Sequence, residues 1–283
     1  MVAVRSAVLT QADGARWTLS NGRTPGAEGW IVENVTGWHG GSGVRSWSES
    51  RLRHGNFTAR AWRENRKITL QGIVVAPDSD TRDWHERSLS GMAGDGDWCD
   101  LTCDAGRHVL STRVRLDGEP QIVRIGTQAL RFQLPLEADS PFLVSAWRET
   151  TLQPAGAGVG LEYTTFTRGG IITFGSEIEH DERIWNDGNT ESQPVFEVWA
   201  DSPSGFRVGL DGHVVEWSGL CLPDVPVLVD MTGSVTVGGH DQSSQLVRRD
   251  WASIPAQSIS SPTFELLQGG RGFARVRHRD TYI

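Results

Sequence analysis

The stretch Asn56-Phe57-Thr58-Ala59-Arg60-Ala61-Trp62-Arg63-Glu64-Asn65-Arg66-Lys67-Ile68-Thr69-Leu70-Gln71-Gly72-Ile73-Val74-Val75 decides the fold class. Phe57, Ala59 and Ala61 alternate with Thr58 and Arg60, and Ile68, Leu70, Gly72 and Val74 alternate with Thr69 and Gln71. Two runs of period two, split by the polar Glu64-Asn65-Arg66-Lys67, predict a β-hairpin with arms Asn56–Arg63 and Lys67–Val75.

The same signal runs outward in both directions. Ala15–Ser20 reads as a strand followed by the tight-turn pair Asn21-Gly22, and Trp30–Val35 as the next strand, ahead of a glycine-rich loop from Gly37 to Gly43. Downstream, Trp98–Cys103, His108–Leu116, Gln121–Ile125 and Ala129–Leu136 read as strands, with Ala105-Gly106 and Asp117-Gly118 as hairpin turns. Pro77–Met92 breaks the pattern. It opens on Pro and N-cap residues, carries acids early and ends at Gly94, which predicts a helix of about three turns burying Trp84, Leu89 and Met92.

After a Gly/Ala/Pro-rich passage the second half is strand and turn throughout. Ile171–Phe174, Val195–Ala200, Gly205–Leu210, His213–Trp217, Val225–Val229, Ser234–Val237, Thr263–Leu267 and Phe273–Arg279 are separated by Gly, Asp and Pro, the spacing of a β-sandwich. Phe273–Arg279 alternates strictly. Ala274, Val276 and His278 share one face and Phe273, Arg275, Arg277 and Arg279 the other, so an ordered strand is expected there. It closes a sheet in the sandwich or back on the first domain. The expected fold is mainly β, with one domain at 1–150 and a second at 151–283, the boundary falling within Ser145–Gly160.

Composition agrees. The 283 residues include 33 Gly and 12 Pro with 37% hydrophobic content, enough for a sizeable core and without a collagen period or heptads. No stretch approaches the roughly 18 apolar residues of a membrane span, and Met1–Thr10 has no long apolar run, so neither a span nor a secretory leader is expected. Three cysteines, Cys99, Cys103 and Cys221, do not make a disulfide framework. Residues 1–147 hold 17 basic and 17 acidic residues; residues 148–283 hold 10 and 18, the whole net charge of −8. Neither half offers the positive field of a nucleic-acid binder. The arginine clusters Arg51, Arg53, Arg60, Arg63, Arg66 with Lys67, and Arg271, Arg275, Arg277, Arg279, read as solvent faces of strands.

Catalytic and cofactor motifs are absent or incomplete. Lys67, the lone lysine, is not in a Gly-Lys-Ser/Thr context, and no Ser has Gly at both −2 and +2. His85-Glu86 is not followed by a second His at zincin spacing, and Gly156–Gly160 lacks the dinucleotide spacing and reads as a linker. Cys99, Cys103 and His108 make at most three ligands, so two buried thiols are expected. Asp95, Asp97, Asp100 and Asp104 lack the closing Glu of a calcium loop, and the acids around His180–Glu182 and Trp185–Asn189 sit in no apolar run that would raise a pKa. Trp185, Trp199 and Trp217 read as sandwich core rather than a sugar-stacking platform. No catalytic, cofactor-binding or metal-binding residue is assigned; no enzyme activity and no cofactor are expected.

Three features together resemble the distal tail proteins (Dit) of long non-contractile-tailed bacteriophages, especially those of actinobacteria. They are Gly29-Trp30-Ile31 followed by Gly40-Gly41-Ser42-Gly43; His54-Gly55 leading into Phe57–Arg63, Arg66–Gly72 and a helix; and the C-terminal Gly270–Ile283. The resemblance implies an N-terminal β-barrel-like domain with a hairpin and one helix, then a galectin-like β-sandwich. It implies a structural virion protein at the distal end of the tail, assembled in the host cytoplasm. Six N-terminal domains would form a ring joining tail tube to tail tip or baseplate, with a lumen that passes DNA. The implied partners are further copies of the chain, the major tail tube protein, the tip or baseplate hub protein and the tape-measure protein; sequence-specific nucleic-acid binding and membrane binding are not implied. An alternative is a carbohydrate- or receptor-binding tail module acting through the sandwich, but His213-Val214-Val215-Glu216-Trp217 does not match the sugar-binding pattern of galectins.

Overall fold

A computed structural model describes residues 4–21, 29–40, 43–44, 47–49, 56–58, 62–92, 96–154 and 182–283. The chain divides into two compact units, Met1–Ala146 with Tyr282–Ile283, and Trp147–Thr281. The first contains β1 (Ser6–Gln11), β2 (Arg16–Ser20), β3 (Gly29–Thr36), the short β4 (Gly43–Val44), β5 (Trp47–Glu49), β6 (Asn56–Thr58) and β7 (Trp62–Arg63), then β8 (Lys67–Val75), α1 (Ser79–Ser90), β9 (Cys99–Asp104), β10 (Val109–Leu116), β11 (Gln121–Ile125), β12 (Ala129–Ala138) and β13 (Leu143–Val144). The second contains β14 (Arg148–Leu152), β15 (Ile184–Asn186), β16 (Val195–Asp201), β17 (Phe206–Leu210), β18 (His213–Trp217), β19 (Val227–Asp230), β20 (Ser234–Val237), β21 (His240–Asp241), β22 (Leu246–Arg249), β23 (Ser258–Ser260), β24 (Pro262–Leu266) and β25 (Arg271–His278), and β26 (Thr281–Tyr282) follows at the point of return to the first.

In the first unit, neighbouring strands follow the order β12-β8-β3-β2-β1-β9-β10, and β10 pairs back to β12, closing a seven-stranded barrel. Its interior is filled by Leu9, Leu19, Leu70, Leu101, Phe132 and Trp38 among others. Gly72 is required inside: a Cβ there would lie 2.6 Å from the Ile31 carbonyl and 2.7 Å from the Phe132 ring that covers it. The alternation of β8 holds, with Ile68, Leu70, Gly72 and Val74 inward.

The predicted hairpin does not form between its two segments. Both edges of β8 are taken by β3 and β12, while β4 pairs with β7 and β5 with β6. β6 and β7 are therefore the returning strands of an arm whose outgoing strands are β4 and β5. β2 and β3 run parallel, so they are not the two arms of a tight hairpin. Asn21 donates from Nδ2 to the Val4 carbonyl. Asp117-Gly118 is a bulge rather than a hairpin turn. β10 and β11 both lie antiparallel along one edge of β12, as Leu116↔Leu136 and Gln121↔Gln133, so the intervening residues 117–120 face only 134–135. Pro135 sits inside β12 at that point. Its carbonyl accepts from the Asp117 N–H (2.9 Å), and in an extended strand N and C=O of one residue face the same edge. The N–H that proline lacks thus faces the bulge, where a ladder is interrupted anyway.

α1 starts at Asp78, whose carboxylate accepts from the Thr81 N–H, a bond that holds the Asp78 carboxyl below its usual range. Leu89 and Met92 are buried as expected, but Trp84 is 61% exposed. Arg82, His85, Leu89 and Met92, spaced i, i+3, i+7 and i+10, form the inward stripe, and Trp84 lies off it. His85, not Trp84, meets Trp30 edge-on at 5.4 Å.

The second unit is a sandwich of a six-stranded sheet, β14-β25-β16-β19-β20-β21, and a four-stranded sheet, β22-β18-β17-β24, with the small pair β15–β23. Phe196, Val198, Phe206, Val208, Trp217 and Val276 belong to one core. Phe273–Arg279 behaves as its alternation predicts: Ala274, Val276 and His278 are buried, and β25 is a central strand between β14 and β16. The last residues leave this sheet, and β26 follows β13 in the order of the barrel sheet. Gly22, Gly41-Ser42, Arg51, Arg53, His54-Gly55, Ala59–Ala61, Gly94-Asp95, Gly156–Gly160, Ile171–Phe174 and His180-Asp181 lie outside the described residues.

Candidate assembly interface

The inward alternation of β8 leaves Lys67, Thr69, Gln71, Ile73 and Val75 on the outer face of the barrel. Strand register extends each outward position sideways across β3, β8, β12 and β11. One row is Asn34–Gln71–Gln133–Gln121, four amides side by side, with Gln71 Nε2 donating to Gln133 Oε1 at 2.9 Å. The next row is Ile31–Ile73–Arg131–Val123, and the one after it Gly29–Val75–Ala129–Ile125. The face is thus uncharged at its middle and largely apolar at one end. Val123 is 61% and Ile125 41% exposed. Arg131 is neutralised by a two-pronged pair to Glu33 (3.1 and 3.3 Å), and a shallow cleft of about 380 Å³ lies along Glu33, Gln71, Gln121, Val123, Arg131 and Gln133.

β11 also ends the sheet. Among the described residues it pairs with β12 alone, so its other edge presents free backbone N–H and C=O groups. Arg124 of β11 is tied to Glu86 and Asp83 of α1, and Arg82 of α1 donates to the Thr127 carbonyl in the turn after β11, which fixes the strand against the helix. An open edge bordered by exposed aliphatics is chemically suited to accept another strand and bury apolar surface on it.

The paired arm β4–β7 with β5–β6 is rooted by Arg66. The sequence reading placed Arg66 on a solvent face; it is 3% exposed. Its Nη1 donates to the carbonyls of Gly37 (3.1 Å) and Trp38 (2.7 Å) with a longer contact to Gly40, and its Nε and Nη2 both donate to Pro141 (3.1 and 2.8 Å). Burial, followed by nearby Arg63, lowers the Arg66 pKa, yet the carbonyl dipoles satisfy the guanidinium without a carboxylate. At Gly37 (φ +77°) a Cβ would collide with the Lys67 carbonyl, so the two roots of the arm touch backbone to backbone.

The remaining sequence candidates separate cleanly. Cys99, Cys103 and Cys221 are buried free thiols; burial pushes Cys103 up to about 12 and Cys221 to about 11, which leaves them unreactive. Among the described residues no group of three or more His, Cys, Asp or Glu could hold a metal ion, and no helix is long and apolar enough to cross a membrane. Trp217 is core, packed on Phe206 at 5.5 Å. Trp185 is not: it is 39% exposed, with the Arg148 guanidinium over its ring at 4.7 Å. The His213 ring is hydrogen-bonded to Asp250 and Glu216 is paired with Arg207, so the polar side chains of that stretch are already engaged within the sandwich.

No family model matches the chain, and no curated protein matches it. Solved structures do. The Dit protein of phage SPP1, described as a paradigm of the hub adsorption apparatus of phages that infect Gram-positive bacteria, aligns over 98% of this chain and 99% of its own with TM-score 0.62 at 12% identity. The chain has the fold of a phage distal tail protein. Two structures of the phage p2 baseplate in its activated conformation, with Ca and with Sr, each cover 97% of this chain and 98% of their own at 10% identity, with TM-scores 0.50 and 0.51. The distal tail fold spans both units, so the likeness is not confined to a common sandwich.

The apolar residues of this outer face were missed by the sequence reading, although a signal was present. Ile122-Val123 and Ile73-Val74-Val75 place aliphatics on both faces of a strand, and a strand with one face in water has no use for the second set.

Proposed function

We propose that the chain is a structural virion protein of a phage tail, a distal tail adaptor. Six copies form a ring through residues 1–146 that joins the tail tube to the tip or baseplate and lets DNA pass. The observation that carries this reading is the end-to-end likeness to a Dit hub protein, over 98% of the chain and in both units. Three features support it. The barrel carries an uncovered apolar sheet face with an open edge, as a subunit in a closed ring requires. Its half of the sequence has no net charge, so a lumen built from it does not grip passing phosphates. The chain's role is mechanical rather than catalytic, in keeping with buried, unreactive thiols.

The partners in this reading are further copies of the chain, the tail tube protein, the tip or baseplate hub and the tape-measure protein, at the distal end of the virion tail. The sugar-binding alternative finds little footing in the sandwich, because Trp217 is core and Trp185 is already stacked by Arg148. Light scattering on the purified full chain tests the reading. A particle six times the 31.1 kDa protomer mass, with an open ring in negative stain, is expected. A strict monomer at every concentration, with and without tail tube protein, would overturn it.

A further inference from the structure

The chain passes from the first unit to the second at Ala146–Trp147 and back at Thr281–Tyr282. Within the second unit both passages are gathered on one set of polar groups. Arg148, the first residue of β14, is the register partner of His278. Its guanidinium grips the Asp280 carboxylate with two prongs (Nη1 2.9 Å, Nη2 2.5 Å), donates from Nη2 to the Trp185 carbonyl (2.8 Å), reaches His278 Nε2 (3.3 Å) and lies over the Trp185 ring. Asp280 is buried and also accepts from the Asp187 N–H at 2.8 Å. Next to it Thr281 donates to Asn186 Oδ1, the Thr281 carbonyl accepts from Thr190, and the Arg279 carbonyl accepts from Ser192 Oγ at 2.6 Å. Trp147 is stacked by Arg279 at 4.1 Å and Arg277 at 5.0 Å. The residue that follows this segment, Tyr282, takes its place in the first unit beside His108 (3.3 Å).

A core strand such as β25 needs none of this to stay in its sheet, since its ladder and its buried face suffice. The polar set begins where the ladder stops, at 278–281, and it is centred on an arginine from the opposite passage. We propose that Arg148 and Asp280 form a latch that fixes the return passage to the outgoing one, and that this latch is what holds Tyr282 in place on the barrel. Arg148 is a positioning residue in this account: it acts on Tyr282 through Asp280, two residues earlier in the chain. A fork that binds both carboxylate oxygens at once suits that task better than a single point charge.

Hydrogen exchange read by mass spectrometry on the full chain tests the latch. Arg148→Gln and Asp280→Asn are each expected to raise exchange at Tyr282 and at Val144 of β13 at least tenfold, leaving β16 and β17 unchanged. The double variant should do no more than either single one, because both remove the same link. Asn at 280 keeps an oxygen for the Asp187 N–H, so the local turn survives the change. Arg148→Lys should restore less than half of the lost protection. Unchanged exchange at Tyr282 and Val144 in both single variants would overturn the proposal, as would a rise spread evenly over β16 and β17, the mark of a merely destabilised sandwich.

Discussion

The apolar end of the barrel's outer sheet face and the outer faces of the sandwich are built on the same geometry and filled by opposite rules. In the sandwich, register aligns Arg248–Glu216–Arg207–Glu265 across four strands, with Arg207 bonded to Glu216 at 2.7 Å and to Glu265 at 3.4 Å. The other sandwich face does the same with Arg275 between Glu149 and Glu197, and Arg277 beside Glu149. Alternating charge across a sheet is satisfied within the unit and faces water. The barrel face instead aligns amides with Ile31, Ile73, Val75, Val123 and Ile125, and its one arginine there is neutralised by Glu33. Water gains nothing from such a surface, and a partner's surface does. In the proposed adaptor the two faces divide the labour: the charged ladders keep the sandwich face in water, and assembly covers the apolar end of the barrel face.

The contrast extends to buried charge, and there it can be broken hardest. The barrel holds Arg66 on backbone carbonyls alone, so Arg66→Gln strands four carbonyl groups and leaves a void. A loss of about 4 kcal/mol in chemical denaturation is expected, with exchange protection lost in the barrel and kept in the sandwich. A smaller effect separates the units by pH. Burial and then the adjacent Arg148 depress His278 from its ordinary 6.5 to about 4, so the native sandwich holds it neutral. The unfolded chain binds the extra proton between those values. Stability is therefore full above pH 6.5 and falls as pH drops toward 4, by about 3 kcal/mol at most. His39 and His85 of the barrel are lowered too, chiefly by burial, and add to the slope of the first unit. Melting His278→Gln against the parent from pH 7 to pH 4 isolates the sandwich share; identical slopes would refute the assignment. The smallest effect belongs to the exposed ladder. Arg207→Gln with Glu216→Gln should leave the thermal melting of the sandwich essentially unchanged.

Much of the fold is legible in local pattern. Strict alternation in Lys67–Val75 and Phe273–Arg279 identifies the strands and the faces they bury, and the cap at Asp78 marks the start of the helix. What local pattern does not carry is pairing. The parallel step from β2 to β3, the arm folded on itself and the bulge at Asp117-Gly118 depend on which edges other strands have already filled. Arg66 was misread for a related reason. Nothing in Glu64-Asn65-Arg66-Lys67 distinguishes an arginine in water from one that collects carbonyls 26 to 75 residues away in sequence. The apolar outer face of the barrel falls between these cases: Ile73, Val75, Val123 and Ile125 are visible as a break in alternation, but only register shows that they adjoin.

The most direct test of the account places the two faces side by side in the full chain. Val123→Asp with Ile125→Asp, and separately Arg207→Gln with Glu216→Gln, are compared with the parent by negative-stain class averages and sedimentation at equal concentration. Charges on the open edge should abolish the ring and leave folded protomers with unchanged circular dichroism, while loss of the sandwich ladder should leave the ring intact. A ring that survives two aspartates on β11, or one that falls apart when the ladder is removed, would contradict the claim that the barrel face is what assembles.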